Sequence, residues 1–347
     1  MRYNNIDMRL KLIINIVTLL AVTMVIVFGW KDIVEAFHTM LRLNLWILLL
    51  MIPVQFFSFF AIAKLYYHFF RVTGVNLSMK TLLPAAVELN FVNHIFPSGG
   101  VSGFSYLTFR LKSENVSAAK STLAQLVRFV ATFVTFVGLL IIALLLLALE
   151  DKASRFIIFV ATALTFSILF STIGLVYIVG SESRIKGFTR GLASFLNKLI
   201  HIVKRSKKEA IKLQRVERTF HELHKDYLLV RKDFGKMRSV IVWAIIGNLA
   251  EVGLIYVVFL AHDMWVNPGA VIIAYAVATL VGLFAILPGG VGVYEPIMAA
   301  SLLSAGIPNA IALSVTLVSR VVTLLLALGS GYILYHLALR RHARYRT

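Results

Sequence analysis

Five ionisable side chains lie within long apolar stretches of the sequence: Glu88, Arg128, Glu251, Glu295 and Arg320. A charged side chain at the centre of a bilayer costs at least about 2.5 kcal/mol, so such residues face the protein interior and pair there. The chemistry open to them is recognition of a charged headgroup, or proton exchange by a carboxylate. The alternative is a set of internal ion pairs that only fix helix packing.

The acids and the arginines are expected to meet each other. Glu88 precedes a break in one apolar segment and Glu295 follows a break in another, so we expect them to pair with Arg128 and Arg320. The sequence does not fix which acid meets which arginine. Nearby amides either line the same polar cavity or form hydrogen bonds between helices. These neighbouring polar residues are Asn90, Asn93, His94 and Asn248.

Each of the two breaks combines proline with glycine. The first reads Phe96-Pro-Ser-Gly-Gly-Val-Ser-Gly and the second reads Leu287-Pro-Gly-Gly-Val-Gly-Val-Tyr-Glu. Proline removes a backbone donor and glycine permits unusual dihedrals, and backbone groups freed in this way cannot face lipid. Such a break must be buried in protein or line a wet cavity, where a helix N-terminus can bind an anion. The break residues are Pro97, Gly99 and Gly100, then Pro288, Gly289, Gly290 and Gly292.

The breaks belong to an internal repeat. Each is followed by a short apolar stretch, a polar turn and a long span with one arginine, which follows the proline by 31 positions at Arg128 and 32 at Arg320. We predict a first repeat at 45–149 with a hairpin at 81–111, and a second at 239–337 with a hairpin at 270–304. Inverted repeats with broken helices near the midplane recur in secondary transporters.

The composition places all of these residues in a membrane protein. The 347 residues are 59% hydrophobic and 15% charged, with a mean hydropathy of +0.85, which a soluble domain could not cover with polar surface. The predicted fold is one all-α integral membrane domain, 1–347, with about six full spans and two re-entrant Pro-Gly-Gly hairpins arranged as an inverted repeat. The predicted spans are Leu12–Phe28, Leu45–Ala63, Ser121–Leu149, Phe156–Val179, Ser239–Ala261 and Ala310–Tyr335.

The distribution of positive charge predicts the orientation. With both termini in the cytoplasm, the first hairpin enters from inside and the second from outside, and basic residues concentrate on the inner face. We therefore expect a multi-pass protein of the inner (plasma) membrane with cytoplasmic N- and C-termini. A hairpin that crosses the bilayer twice would give the same count, so charge leaves that alternative open.

The net charge of +19 does not indicate nucleic-acid binding. Sixteen of the 35 basic residues lie in the segment 181–238 and most of the others flank spans, which favours attraction to anionic membrane lipids. Apolar residues at three-to-four spacing in this segment indicate an interfacial helix, and a solvated basic linker is the alternative.

Motifs for catalysis are not found in the sequence. Cysteine is absent, which excludes disulfides and thiolate chemistry, and there is no zinc-protease motif, nucleophile elbow or phosphate-binding loop. We therefore expect no catalytic residues, no metal site and no cofactor.

The motifs around the breaks carry a family resemblance. Asn93 with Pro97-Ser-Gly-Gly and Gly103, then Leu287-Pro-Gly-Gly-Val-Gly with Glu295, resemble the flippase-like family named for the transmembrane region of lysylphosphatidylglycerol synthase. The resemblance implies movement of aminoacylated phosphatidylglycerol, or of other lipids and lipid-linked glycans, between leaflets. It also implies that the break residues and Glu295 shape the translocation cavity. The aminoacyl-transferase domain of bifunctional members has no room before Thr347, so we do not expect that enzyme activity.

The sequence thus predicts a flippase-like lipid translocase for an anionic or aminoacylated phospholipid or a related lipid-linked molecule. Its substrate-binding residues would be the break residues together with Glu88, Asn90, Asn93, Arg128, Glu251, Glu295 and Arg320. The alternative is a membrane scaffold or subunit of a lipid-modifying or glycan-assembly enzyme, which would then be its partner.

Overall fold

The described part of the chain is helical throughout. A computed structural model describes residues 30–95, 101–149, 155–181, 234–282 and 290–344, with a few isolated positions elsewhere. The helices are α1 Trp30–Met40, α2 Leu45–Leu48, α3 Met51–Val72, α4 Met79–Ile95, α5 Val101–Leu111, α6 Ala118–Ala148, α7 Arg155–Val179, α8 Arg238–Ala261, α9 Pro268–Gly282, α10 Tyr294–Ser304 and α11 Asn309–Arg344.

Local sequence signals set several of the helix ends. The Ser117 hydroxyl accepts a hydrogen bond from the Lys120 amide and caps the N-terminus of α6. Pro268 opens α9 at the position where its missing donor is harmless, and the preceding Asn267 side chain accepts from the Gly269 amide at 2.8 Å. Gly306, with φ of 84°, ends the turn between α10 and α11.

Five helical segments are long and apolar enough to cross a membrane: Leu45–Val72, Ala118–Ala148, Ala161–Ile178, Gly235–Ala261 and Asn309–Leu337. Each corresponds to a predicted span, so the all-α membrane fold is confirmed. The predicted span Leu12–Phe28 lies almost entirely outside the described residues, as does most of the basic segment 181–238. The number of six spans and the re-entrant form of the hairpins stay predictions.

The hairpin helices pack in a reciprocal pattern. Helices α4 and α5 flank the first break and contact each other, and α9 and α10 do the same at the second. The first arm of each hairpin packs on the long helix of the other half, α4 on α11 and α9 on α6. The second arms pack within their own half, α5 on α6 and α10 on α11. Each pair of arms therefore contacts both long helices, α6 and α11.

The close contact of α4 with α11 depends on a glycine. Gly331 is buried, and a Cβ atom there would overlap the Cβ of Phe91 on α4, which is itself fully buried. Small residues let helix backbones approach in this way inside membranes, where packing rather than the hydrophobic effect drives association.

The apolar core has two parts at opposite ends of the long helices. One uses the C-terminal half of α3 with the N-terminal parts of α6 and α8. The other uses the C-terminal parts of α6 and α8 with the first half of α11. The polar residues of the long helices fall between these two parts, which places them around a central cavity.

Candidate functional site

A cavity of about 310 Å³ lies between the two halves. It is lined by residues of α3, α4, α6, α8, α9 and α11, with Gly290 and Tyr294 from the second hairpin. Aromatic and aliphatic side chains form much of its wall. The polar side chains that line it include Gln55, Ser58, Asn90, Asn93, His94, Arg128, Asn248, Glu251 and Arg320.

Arg128 lies half-buried on α6 and is held by a hydroxyl group rather than by a carboxylate. Its Nη1 donates to the Tyr66 hydroxyl at 3.3 Å, and that hydroxyl donates to the Gln125 side-chain oxygen at 2.8 Å. The Gln125 amide in turn donates to the Gly103 carbonyl of the first hairpin at 2.9 Å. Within the described residues Arg128 forms no ion pair, so its guanidinium keeps donors for an anion in the cavity.

Glu251 provides the opposite charge on the cavity wall. Its carboxylate accepts a hydrogen bond from the Ser58 hydroxyl across the contact between α3 and α8. Arg128 is close enough to act on this carboxylate electrostatically, but the two groups do not form an ion pair. The cavity therefore presents a positive and a negative group that are each positioned by a hydroxyl-bearing neighbour.

Arg320 forms an ion pair with Glu295, which is one of the pairings that the sequence left open. Its Nε lies 3.0 Å from Oε1 of Glu295, and its guanidinium carbon lies 4.5 Å from the centre of the Tyr294 ring. The second carboxylate oxygen of Glu295 accepts from the Gly292 amide at 2.7 Å, at the N-terminus of α10 where a negative charge is favoured. Glu295 thereby fastens the second hairpin to α11.

Glu88 forms an ion pair with Arg110, which is neither of the two arginines that the sequence analysis named as candidate partners. The Arg110 Nε lies 2.8 Å from Oε2 of Glu88, which also accepts from the Tyr106 hydroxyl at 2.7 Å. Glu88 is only 2% exposed and Arg110 only 8%. Positive-inside counting assigns Arg110 to the cytoplasmic face, but the fold turns its side chain inward because α5 packs against α4. This pair holds the first hairpin closed and does not line the cavity.

The three asparagines that the sequence analysis named all line the cavity, and one of them also forms hydrogen bonds between helices. Asn90 and Asn93 both line the cavity, and the side-chain oxygen of Asn90 is buried without a hydrogen-bond partner among the described residues. Asn248 lines the cavity as well, but its amide donates to the Thr132 carbonyl and the Thr135 hydroxyl of α6. It therefore serves as a hydrogen-bonded link between α8 and α6 as well as part of the wall.

Of the predicted break residues, the structure describes two. Gly290 lines the cavity with φ of 75°, and Gly292, with φ of 81°, donates to Glu295 outside the cavity wall. Both angles lie in the left-handed region that favours glycine. Pro97, Gly99, Gly100, Pro288 and Gly289 lie outside the described residues.

Sequence reasoning missed three polar residues that organise the site. Ser58, Tyr66 and Gln125 position the two unpaired charges, yet each looks like an ordinary polar residue in a span. The structure buries Tyr66 and Gln125, which are 0% and 1% exposed, and buried polar groups need partners. The sequence around these residues does not signal that burial. No group of three His, Asp or Glu side chains that could hold a metal ion is found in the described ranges.

Comparison with known proteins identifies relatives over nearly the whole chain. The chain matches the family described as "Lysylphosphatidylglycerol synthase TM region" over residues 12–331. It is 20% identical over 308 residues to UPF0104 membrane protein PH1989 of Pyrococcus horikoshii, covering 88% of this chain and 91% of that protein.

Two UPF0104 membrane proteins of Methanothermobacter thermautotrophicus also match, one 32% identical over 101 residues and the other 23% identical over 277 residues. The first covers 29% of this chain and 30% of the relative, and the second covers 76% and 78%. No solved structure matches the chain significantly. The family match spans most of the residues that form the helices and both halves of the cavity, so this multi-pass membrane protein belongs to the lysylphosphatidylglycerol synthase transmembrane-region family.

Proposed function

We propose that this protein is a lipid translocase that passes the charged headgroup of an anionic or aminoacylated phospholipid through the central cavity. The observation that carries the proposal is the pair Arg128 and Glu251. Both line the cavity, and neither forms an ion pair in the described part of the chain. Unpaired charges inside a membrane protein are costly and mark substrate or ion pathways.

The two charges suit different parts of a headgroup. Arg128 offers guanidinium donors to a lipid phosphate, for which arginine geometry is well matched. Glu251 and the side-chain oxygen of Asn90, which has no hydrogen-bond partner among the described residues, offer acceptors to an ammonium group such as that of an aminoacyl ester. Glu88 and Glu295 already hold arginines, which leaves Glu251 as the carboxylate on the cavity wall for a cationic headgroup.

The size of the cavity also favours a headgroup. Its volume of about 310 Å³ is at the lower end of the range for small-molecule pockets, about 300–1,000 Å³. A whole phospholipid would not fit, so the acyl chains would stay in the bilayer while the headgroup occupies the cavity.

Leaflet exchange in liposomes tests the proposal. Purified protein is reconstituted with fluorescent phosphatidylglycerol, lysylphosphatidylglycerol or phosphatidylcholine, and the rate at which label leaves the outer leaflet is measured by chemical quenching. We expect Arg128→Gln to slow the exchange of phosphatidylglycerol and of lysylphosphatidylglycerol at least about tenfold, since a hydrogen bond to a charged group contributes about 1.5–3 kcal/mol. Glu251→Gln should slow only the lysyl lipid.

The matched control is Arg42→Gln, which removes an exposed arginine outside the cavity. If the Arg128 and Glu251 variants exchange every lipid as fast as this control, the cavity is not the route. If the unchanged protein exchanges no lipid class, the scaffold or enzyme-subunit interpretation replaces translocation.

A further inference from the structure

A second cationic feature lies beside the cavity, on another face of α3. Phe60, Lys64, Tyr67 and Arg71 follow the spacing i, i+4, i+7 and i+11, which puts them on one stripe of the helix. The residues of α3 that line the cavity follow the same kind of spacing on a different stripe; they are Gln55, Ser58, Ile62 and Leu65. The two stripes therefore face different surroundings.

Three aromatic rings surround the Lys64 ammonium group. Its Nζ lies 5.4 Å from the centres of the Phe60 and Tyr67 rings and 6.0 Å from the centre of the Trp243 ring of α8. Phe60 and Trp243 pack edge to face at 5.7 Å, which fixes the walls. We call these four residues, Phe60, Lys64, Tyr67 and Trp243, the Lys64 clamp.

Among the described residues, the ammonium group of Lys64 donates no hydrogen bond to the protein. Aromatic faces attract an ammonium group but do not replace its three hydrogen-bond acceptors. In the part of the chain that the structure describes, neither Lys64 nor Arg71 forms an ion pair with a carboxylate. Arg71 lies two turns further along the same stripe, about 10 Å away along the axis. Its guanidinium packs 5.6 Å from the Tyr67 ring centre.

We propose that the Lys64 clamp is a docking site for the phosphate of an anionic phospholipid at the surface of the bilayer. Lysine with tyrosine and tryptophan is the composition of the membrane–water interface, where lipid phosphates lie. Trp243 belongs to both regions: it walls the clamp and lines the cavity. A lipid docked on Lys64 is thus separated from the cavity by one indole ring. Docking itself is independent of translocation, and only the use of the docked lipid rests on the proposed function.

Tryptophan fluorescence can report the docked lipid directly. The other three tryptophans, Trp30, Trp46 and Trp265, are exposed and are replaced by phenylalanine, so that Trp243 is the sole emitter. The protein is reconstituted in two kinds of vesicle made from phosphatidylcholine and phosphatidylglycerol. In the first kind only the phosphatidylglycerol is brominated, and in the second kind only the phosphatidylcholine is brominated. The ratio of the two quenching constants gives the preference of the site for the anionic lipid.

We expect Lys64→Gln to lower this preference about fivefold, because one basic residue near an anionic surface contributes about 1 kcal/mol. Lys64→Arg should retain the preference, since it keeps the charge. Lys80→Gln, which removes an exposed lysine at the start of α4, is the matched control and should change nothing. An equal preference in the Lys64→Gln and Lys80→Gln proteins would overturn the proposal.

Two further arms separate this site from the cavity and guard against misfolding. Arg128→Gln should leave the preference intact; if it abolishes the preference while Lys64→Gln does not, the quenching lipid lies in the cavity and the Lys64 site is refuted. In the single-tryptophan protein that retains Lys64, raising the salt concentration from 0.1 to 1 M should lower the preference for the anionic lipid because the attraction is electrostatic. A preference that is insensitive to salt would contradict docking through Lys64 whatever the stability of the variants.

Discussion

Replacing Arg110 should destabilise the protein through the carboxylate that it leaves behind. Glu88 is only 2% exposed and accepts from the Arg110 Nε at 2.8 Å and the Tyr106 hydroxyl at 2.7 Å. In Arg110→Met the Tyr106 bond remains, but the buried carboxylate loses the ion pair with Arg110. Breaking a buried pair from one side costs about 3–5 kcal/mol.

A double-mutant cycle separates this pair from the one that the sequence suggests. Glu88→Gln with Arg110→Met removes both charges and should cost well under the sum of the two single changes, a coupling of about 2–3 kcal/mol. Glu88→Gln with Arg128→Met should be additive to within about 0.5 kcal/mol, since Arg128 instead donates to the Tyr66 hydroxyl.

The assay is equilibrium unfolding of the purified protein in mixed micelles of mild detergent and dodecyl sulfate, followed by circular dichroism. All variants are compared by the free energy of unfolding at one micelle composition. Coupling of Glu88 to Arg128 that equals or exceeds its coupling to Arg110 would refute the structural assignment. Additivity in both cycles would show that the pair contributes no specific energy.

Two further predictions concern glycines and use the same unfolding assay. Gly331→Ala should cost about 1–3 kcal/mol because its Cβ would overlap buried Phe91, whereas Gly329→Ala meets open space and should stabilise by about 0.4–1 kcal/mol; equal effects would contradict the close contact of α4 with α11. Gly290→Ala should cost about 1–2 kcal/mol because φ is 75°. Gly290→Asn, which tolerates this region better, should cost less, and a cost of Gly290→Ala near zero would rule out the left-handed conformation.

The sequence predicted the membrane helices because they follow from local signals. Apolar runs long enough to span a bilayer identify helices without reference to tertiary structure. The arginines recur at nearly the same distance after the two prolines, but their pairing with particular acids was left open. The end of the second predicted span differs from the structure, since it was placed at Ala63 and α3 continues to Val72. The predicted span ends directly before Lys64 because a charge usually ends an apolar run. In the structure the helix continues through Lys64, whose ammonium group packs against three aromatic rings.

The partner of Glu88 could not be predicted, since it depends on how a hairpin folds back. Counting charges treats Arg110 as a loop residue, and only the contact of α5 with α4 turns it toward Glu88. The hydrogen bonds from Arg128 to Tyr66 and from Ser58 to Glu251 could not be predicted either, because the bonded residues lie far apart in sequence. Contacts of this kind are set by tertiary packing and leave no periodic signal.

The two halves differ in where their acid stands, and this difference explains why one arginine remains available. In the second half the acid follows the break, at Glu295 on α10, within reach of Arg320 on the next helix. In the first half it precedes the break, at Glu88 on α4, and the corresponding second arm α5 contains no acidic residue. Glu88 is paired inside its own hairpin by Arg110, and Arg128 forms an ion pair with none of the carboxylates that the structure describes. An acid placed on α5 as Glu295 is on α10 would be expected to neutralise Arg128 as well. Under the proposed function, this difference favours Arg128 over Arg320 as the residue that would meet an anionic headgroup.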